Sequence, residues 1–286
     1  MSNRVVTAAR RATRRAHDVY GQATKQSRVL PSFLIVGGQR CGTTTLYKTL
    51  VQHPGVLGAN LRKGVHYFDL HYDKPLSWYR GHFPTQKRVD GASSALGYDV
   101  VVGESSPYYL WHPLSLERID SDLDDARVLI LLRDPVERAY SAYTHEQARG
   151  FENVSFLEAL DLEPHRLQGE SDRITQGAVT RSKSHQHHAY VQRGEYIDQL
   201  ERAEKVLGRD RMLVLDSQDF WSAPEDLWPE VTGFLGLPPA DVAFERHNAR
   251  ARSPMPDEVR ERLDSHYQPF DERLAHWWGR TPSWRR

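Results

Sequence analysis

The sequence predicts an α/β fold with a central parallel sheet flanked by helices, in a P-loop-like three-layer arrangement. The first observation is a short apolar run at residues 32–36, which ends at Gly37-Gly38 and is typical of a buried parallel strand. The second is the stretch that starts at Thr43, where apolar residues recur with the period of a helix until His53. A strand, a glycine loop and a helix form the first unit of a nucleotide-binding α/β fold. The third is a set of further runs typical of buried strands, at 99–103, 127–132 and 212–215.

Three more segments have helical patterns, at 135–149, 196–207 and 256–278. Residues 161–188 are polar without a clear period, which predicts a loop-rich excursion. This region contains His185, His187 and His188, which we interpret as solvated loop histidines rather than as metal ligands. The sequence shows no internal repeat and no low-complexity linker. We therefore expect one domain at residues 31–286, preceded by a basic arm at residues 1–30.

The composition narrows the class of protein. The 286 residues include 38 basic and 38 acidic side chains, and this zero formal net charge argues against a nucleic-acid binder that relies on bulk positive charge. Cys41 is the only cysteine, so no intramolecular disulfide can form, and a cytoplasmic location is the natural expectation. The longest strongly apolar run, residues 128–132, is far shorter than the ~18 residues of a membrane span.

The first thirty residues carry seven Lys and Arg side chains against one acidic side chain, Asp18, which gives this segment a formal net charge of +6. A solvated basic arm or helix is one interpretation. Peripheral contact with an anionic membrane surface or partner is the other. The oligomeric state is not indicated by any of these features.

The loop at residues 37–45 has the composition of a phosphate site. Its glycines at 37, 38 and 42 allow backbone N–H groups to approach an anion, and the helix dipole and the hydroxyls of Thr43, Thr44 and Thr45 add further attraction. An NTPase loop would place a lysine directly before the Ser or Thr that binds magnesium, whereas here the cation comes earlier, at Arg40. A cation inside the loop favours a single phosphate and its substituent over the γ-phosphate of a nucleoside triphosphate.

A second cation follows the predicted strand at 127–132. In open α/β sheets ligands bind beyond the carboxyl ends of the strands, and Arg133 occupies that place. Ser141 lies about two turns into the predicted helix that starts at Pro135. A phosphate held by both residues therefore requires this helix to run alongside the nucleotide.

These two motifs resemble those of sulfotransferases that use 3′-phosphoadenylyl sulfate (PAPS). Residues 37–46 resemble the family's 5′-phosphosulfate loop, and residues 132–141 resemble the motif in which an arginine and a serine, here Arg133 and Ser141, hold the 3′-phosphate. Similarity to the bacterial members and to the carbohydrate, heparan-type branch extends to residues 63–69, 78–84, 103–109 and 234–238. The resemblance runs from about residue 31 to the C-terminus. It implies that the donor contacts the loop through Gly38, Gln39, Arg40, Cys41, Gly42, Thr43, Thr44 and Thr45.

The resemblance implies in-line transfer of a sulfuryl group, without a metal, from PAPS to a hydroxyl or amine of a carbohydrate, glycolipid or glycosylated small molecule. Arg40 occupies the position of the usual family lysine. Its role would be electrostatic, because a guanidinium with a pKa above ~12 cannot serve as a practical general acid. Two alternatives remain: a P-loop kinase or NTPase, and a protein that binds a nucleotide or carbohydrate without turnover.

The base that removes the acceptor proton is open. The family motif places a glutamate after its lysine, and Gly64 stands there in this sequence. His66 is the first candidate, because a neutral imidazole can accept a proton near pH 7. Glu104, which follows a predicted strand, is the second candidate. Lys63 is predicted to contact a sulfuryl oxygen or an anionic acceptor, with an ordinary surface position as the alternative.

Other candidate residues lie outside the two motifs or have competing interpretations. Arg193 and Arg250 lie in segments that cover the nucleotide in the family, and they are predicted to reach the 3′-phosphate or the adenine, or else to be solvated. Cys41 lies near a helix N-terminus, which would lower its pKa, although a packing role is the preferred interpretation. Five aromatic side chains are interpreted as a sugar-stacking wall or as core: Trp78, Tyr79, Tyr108, Tyr109 and Trp111.

Overall fold

A five-stranded, wholly parallel sheet forms the centre of the protein, with the strands in the order β2-β3-β1-β4-β5. The computed structural model describes residues 13, 16, 18–60, 62–245 and 254–286. The strands are β1 (Phe33–Gly37), β2 (Val56–Gly58), β3 (Val101–Ser105), β4 (Arg127–Leu132) and β5 (Met212–Asp216). Each of the four predicted strands is present, and β1 and β5 are completely buried, as their continuous apolar runs require. The short edge strand β2 was not predicted, since three residues give too little pattern.

Helices flank this sheet, so the predicted α/β architecture is confirmed. They are α1 (Thr43–Leu50), α2 (Tyr67–Leu70), α3 (Leu76–Arg80), α4 (Gln86–Leu96), α5 (Ser115–Asp122), α6 (Pro135–Ala148), α7 (Phe156–Leu167), α8 (Glu170–Thr175), α9 (Lys183–His187), α10 (Tyr196–Leu207), α11 (Ser217–Ser222), α12 (Pro224–Leu235) and α13 (Asp257–Trp278). The helix α6 begins with Pro135 directly after Asp134, whose carboxylate accepts hydrogen bonds from the amides of Val136 and Glu137. A proline at the first helical position after a capping aspartate is a strong start signal.

The prediction of a loop-rich excursion at residues 161–188 is wrong, because most of this region is helical. It holds the end of α7 and all of α8 and α9. Ser182 caps α9 by accepting a hydrogen bond from the amide of His185. Glycines with positive φ at 169 and 177 divide the segment into pieces too short to show a helical period.

The histidines of this region are not solvated, which corrects a second prediction. His185 and His188 are buried, and His187 is half-buried and stacks on Phe151 with ring centroids 4.0 Å apart. The ring of His185 stacks on Trp111 at 5.0 Å, and its Nδ1 lies 2.8 Å from the hydroxyl of Tyr108. These histidines pack the region against the rest of the domain.

The N-terminal segment packs on the domain from residue 18 onward. Gln22 donates a hydrogen bond to the carbonyl of Trp78 at 2.9 Å, and Arg62 pairs with Asp18 at 2.5 Å. Arg28 is buried and donates to the carbonyl of Phe83. The five arginines that precede Asp18 lie outside the described residues, so the interpretation of the basic arm remains a prediction. Within the described part of the chain, every helix is too short or too polar to cross a membrane, and the cytoplasmic location remains a prediction as well.

Candidate functional site

The loop between β1 and α1 is folded tightly against β4. The amide of Gly38 donates a hydrogen bond to the carbonyl of Leu131 at 2.7 Å. A Cβ atom on Gly38 would lie 2.9 Å from the sulfur of Cys41 and 3.1 Å from that carbonyl, so a side chain is excluded there. Arg40 and Gly42 have positive φ values of 73° and 97°, which turn the chain sharply before α1 begins. The result is a strand-to-helix loop whose amides can face an anion.

The two predicted phosphate motifs meet in space. The Nε of Arg40 donates a hydrogen bond to the hydroxyl of Ser141 at 3.2 Å, although 101 residues separate them. Arg133 follows β4, and its Nη2 lies 3.6 Å from the carboxylate of Glu137, one helical turn later. That distance is long for a hydrogen bond, and the side chain of Arg133 is about one third exposed. The loop cation Arg40 therefore contacts the motif assigned to a second phosphate, through Ser141.

Lys63 belongs to the loop site and is not an ordinary surface lysine. Its ammonium donates to the hydroxyls of Thr43 at 3.2 Å and Thr44 at 2.9 Å. Burial is the main cause that lowers the pKa of this amine to about 8; Glu104 opposes the shift and nearby Arg40 adds to it. A second cation, from a separate segment of the chain, thus lies beside the start of α1.

The backbone at Gly64 runs directly over the end of β3. The carbonyl of Lys63 accepts a hydrogen bond from the amide of Ser105 at 2.8 Å. A Cβ atom on Gly64 would lie 2.4 Å from the carbonyl oxygen of Ser105 and 2.8 Å from the hydroxyl of Ser106. The glycine is therefore required by packing, so this segment cannot carry the family's glutamate at that position without moving.

His66 is held in a defined orientation. Its amide donates to the hydroxyl of Ser106 at 3.0 Å, and its Nδ1 lies 2.9 Å from a carboxylate oxygen of the buried Asp69. Burial lowers the pKa of His66, but the charge and hydrogen bond of Asp69 outweigh it, so the net shift is upward. The side chain is about one third exposed, which leaves the imidazole accessible to a ligand.

The carboxylate of Glu104 is fully buried and hydrogen-bonded on both oxygens. It accepts from the amide of Val65 at 2.7 Å, from the hydroxyl of Ser106 at 2.6 Å, and from the phenols of Tyr109 at 2.7 Å and Tyr79 at 3.0 Å. Burial raises the pKa of Glu104, while the Ser106, Val65 and Tyr109 donors oppose the rise. These contacts tie the segment that carries His66 to β3.

Three of the five predicted wall aromatics, Tyr79, Tyr108 and Tyr109, are core residues, whereas Trp78 and Trp111 are half-buried. The guanidinium of Arg193 lies 5.0 Å from the ring centroid of Tyr108, donates to the side-chain oxygen of Gln39 in the loop, and donates also to the carbonyl of Gln186 at 2.8 Å. Burial lowers the pKa of Arg193 to about 10. Arg193 thus lies at the loop, while Arg250, the other residue predicted to reach the nucleotide, lies outside the described residues.

A family model described as the sulfotransferase domain matches residues 30–274. The chain belongs to this sulfotransferase family. The solved sulfotransferase from Alicyclobacillus acidocaldarius superimposes with a TM-score of 0.66 at 27% identity, covering 90% of this chain and all of that one. The predicted family, the P-loop-like fold and the enzyme class of sulfotransferase are confirmed, and the kinase alternative loses its support.

Several curated relatives are also similar. The membrane-associated sulfotransferase kil1 of Dictyostelium discoideum is 22% identical, with 89% of this chain and 66% of the relative aligned. The bifunctional heparan sulfate N-deacetylase/N-sulfotransferase 4 of Mus musculus is 28% identical over 90% of this chain and 31% of the relative. The heparan sulfate glucosamine 3-O-sulfotransferase 3B1 of Homo sapiens is 29% identical over 76% of this chain and 48% of the relative. The chain thus spans two thirds or less of the length of these curated relatives.

Cys41 of this sulfotransferase is a packing residue in the loop. It is 1% exposed, and its sulfur lies 3.5 Å from the hydroxyl of Tyr196. Burial raises the pKa of the thiol, so the expectation of a lowered pKa is wrong. Desolvation outweighs both the hydrogen bond with Tyr196 and the nearby arginine charges.

Three residues of the sulfotransferase site were missed in the sequence: Asp69, Ser106 and Tyr196. Asp69 stands three positions after His66, a spacing that brings two side chains together at a helix start and could have suggested the pair. Ser106 and Tyr196 contact partners 40 and 63 residues away, and the sequence contains no signal for either pairing.

Proposed function

We propose that this sulfotransferase moves a sulfuryl group from PAPS to a hydroxyl, or an amine, of a carbohydrate-type acceptor. The observation that carries the proposal is the contact between Arg40 and Ser141, since it joins the phosphosulfate loop to the second phosphate motif. Two relatives named for heparan sulfate support a carbohydrate, glycolipid or glycosylated small molecule as the acceptor class. A donor with phosphate groups at the 3′ and 5′ positions of its ribose fits two adjoining anion sites better than a nucleoside triphosphate does.

Donor binding is assigned to two groups of residues. The amides of Gly38, Cys41 and Thr45 donate within the protein, so the loop at 38–45 is assigned to the 5′-phosphosulfate through its other amides and its threonine hydroxyls, at the N-terminus of α1. Arg133 and Ser141 are assigned to the 3′-phosphate, for which an arginine fork and a hydroxyl are suitable donors. Arg193 supports the loop through Gln39. Arg250 retains its proposed role at the nucleotide.

Arg40 and Lys63 are assigned to the charge that develops during transfer. Attack of the acceptor oxygen on sulfur forms one S–O bond while the S–O bond to the 5′-phosphate breaks, and the electron pair leaves with the phosphate oxygen. Two cations from separate segments, fixed before the reaction, stabilise that oxygen without reorganisation. Arg40 remains charged throughout the physiological pH range. Lys63, with a pKa of about 8 before the anionic donor binds, gains charge on donor binding.

His66 is assigned as the general base. With Nδ1 held by Asp69, Nε2 is the nitrogen that takes the proton of the acceptor hydroxyl. The pairing with Asp69 raises the pKa of His66 and stabilises the imidazolium that forms. Glu104 is assigned a supporting role in place of the second base candidate, because its buried oxygens accept four hydrogen bonds from the protein.

Incubation of the protein with PAPS and a panel of carbohydrate acceptors, followed by mass spectrometry, tests the proposal. We expect products heavier by one sulfuryl group, formed equally well in the presence of EDTA. Within the described part of the chain, no three or more His, Cys, Asp and Glu side chains are grouped as metal ligands. Tight binding of adenosine 3′,5′-bisphosphate without any sulfated product would instead support the non-catalytic alternative. Phosphorylated products formed from ATP would support the kinase.

A further inference from the structure

Tyr196 contacts both donor motifs from the protein interior. It is the first residue of α10, and its side chain is 1% exposed. Its hydroxyl donates a hydrogen bond to the carbonyl of Arg133 at 2.8 Å and lies 3.5 Å from the sulfur of Cys41 in the loop. A Cβ atom on Gly38 would lie 3.7 Å from the tyrosine ring, so the ring is in van der Waals reach of the loop backbone. One phenol therefore joins the start of the loop to the end of β4.

The surroundings hold this phenol in place. Trp284 contacts its ring edge to face, with centroids 6.2 Å apart. Three residues earlier, Arg193 donates to Gln39, so the start of α10 is fastened to the loop at a second point. Burial raises the pKa of Tyr196 well above its usual value, which keeps the hydroxyl protonated and able to donate. The Tyr196 hydroxyl is thus a permanent donor in a rigid position.

The backbone of Arg133 depends on such an anchor. Arg133 and Asp134 form the two-residue link between β4, which ends at Leu132, and α6, which begins at Pro135. The side chain of Arg133 is partly exposed, and its contact with Glu137 is long, at 3.6 Å. The point from which the side chain of Arg133 extends is set by the backbone, whose carbonyl accepts the hydrogen bond of Tyr196.

We propose that Tyr196 is a positioning residue, which fixes Arg133 relative to the loop so that the 3′-phosphate and the 5′-phosphosulfate of the donor bind at the same time. This inference rests on the proposed assignment of Arg133 to the 3′-phosphate. It predicts a selective effect, because loss of the hydroxyl frees the Arg133 link while the loop amides keep their own contacts. A nucleotide with a 3′-phosphate loses affinity, and a nucleotide without one does not.

Isothermal titration of the full chain with adenosine 3′,5′-bisphosphate and with adenosine 5′-monophosphate measures this selectivity as a ratio of Kd values. We expect Tyr196→Phe to lower the preference for the bisphosphate by about fivefold, the equivalent of one net hydrogen bond. Arg133→Ala should remove most of the preference. Tyr143→Phe is the matched control, since it deletes a buried phenol that donates to the carbonyl of Val154 at 2.8 Å, and it should leave the ratio unchanged.

The possible outcomes distinguish failure of the role proposed for Tyr196 from failure of the assignment of Arg133 to the 3′-phosphate. If the wild-type protein shows no preference for the bisphosphate, the 3′-phosphate assignment fails and the role of Tyr196 fails with it. If the wild type shows the preference and Tyr196→Phe retains it, or weakens both nucleotides equally, only the role of Tyr196 is overturned. 4-Aminophenylalanine at position 196 keeps a donor and should restore the ratio. 4-Fluorophenylalanine fills the space without a donor, and it provides the same test should Tyr196→Phe fail to fold.

Discussion

A methyl group added at Gly64 tests how closely the segment of Lys63 and His66 packs against β3. The Cβ atom would lie 2.4 Å from the carbonyl oxygen of Ser105, roughly 1 Å closer than ordinary van der Waals contact. Since that oxygen belongs to the sheet backbone, the segment has to move instead. Overpacking of this kind costs about 1–3 kcal/mol. For a chain of 286 residues, with an unfolding entropy of about 2.1 cal/mol/K per residue, a loss of about 2 kcal/mol lowers Tm by roughly 3 °C.

Differential scanning calorimetry and sulfate-transfer kinetics of Gly64→Ala measure the two consequences. Displacement of Lys63 and His66 by roughly 1 Å should lower kcat by up to about 100-fold. Gly91→Ala is the control, because a methyl group there meets no described heavy atom within 4 Å, and replacing a helical glycine by alanine stabilises by roughly 0.5–1 kcal/mol. A Gly64→Ala protein with the Tm and kcat of the wild type would refute the close packing and the placement of the segment.

Three further predictions concern the site and the arm. Arg40→Ala should lower kcat by about 10²–10³-fold through loss of charge stabilisation. Arg40→Lys keeps the positive charge and should retain most of the wild-type kcat. A near-normal kcat in Arg40→Ala would remove Arg40 from the mechanism. Asp69→Asn should lower the pKa of His66 and so move the acid limb of kcat/KM to lower pH, with Asp73→Asn as a control whose profile matches the wild type; an unmoved limb would reject His66 as the base. We also propose that residues 1–17 contact anionic membranes, since this segment is basic and Val19 and Tyr20 beside it are 66% and 58% exposed. Deletion of residues 1–17 should then abolish co-sedimentation with phosphatidylserine vesicles, and equal sedimentation of both forms would contradict the proposal.

The fold could be predicted where local sequence determines local structure. Buried parallel strands such as β1 and β4 are continuous apolar runs, and the glycine loop and Pro135 indicate where helices begin. The prediction failed at residues 161–188, where the helices are short and their stability comes from tertiary packing. His185 shows the reason: its ring is buried against Trp111, 74 residues earlier, and a polar sequence does not reveal that contact.

The site could be predicted only as two separate motifs. The residue types at Arg40 and Arg133 indicated phosphate binding, but the contact of Arg40 with Ser141, which joins the two motifs, depends on the order of strands in the sheet. The position of Lys63 was ambiguous for the same reason, since its partner hydroxyls lie 19 and 20 residues earlier. The pKa of Cys41 was predicted in the wrong direction because burial is a property of the folded chain.

Lys63 and His66 lie on one short segment, which has a consequence for how the donor and the acceptor bind. Lys63 touches the donor loop and His66 is assigned to the acceptor, and only two residues separate them. A donor that holds the ammonium of Lys63 beside Thr43 and Thr44 also holds His66 in the position assigned to the acceptor. Each substrate therefore favours the segment position that the other requires, and by thermodynamic linkage the two enhancements are equal. Donor and acceptor are thus expected to bind cooperatively, because one short stretch of backbone carries a contact residue for each.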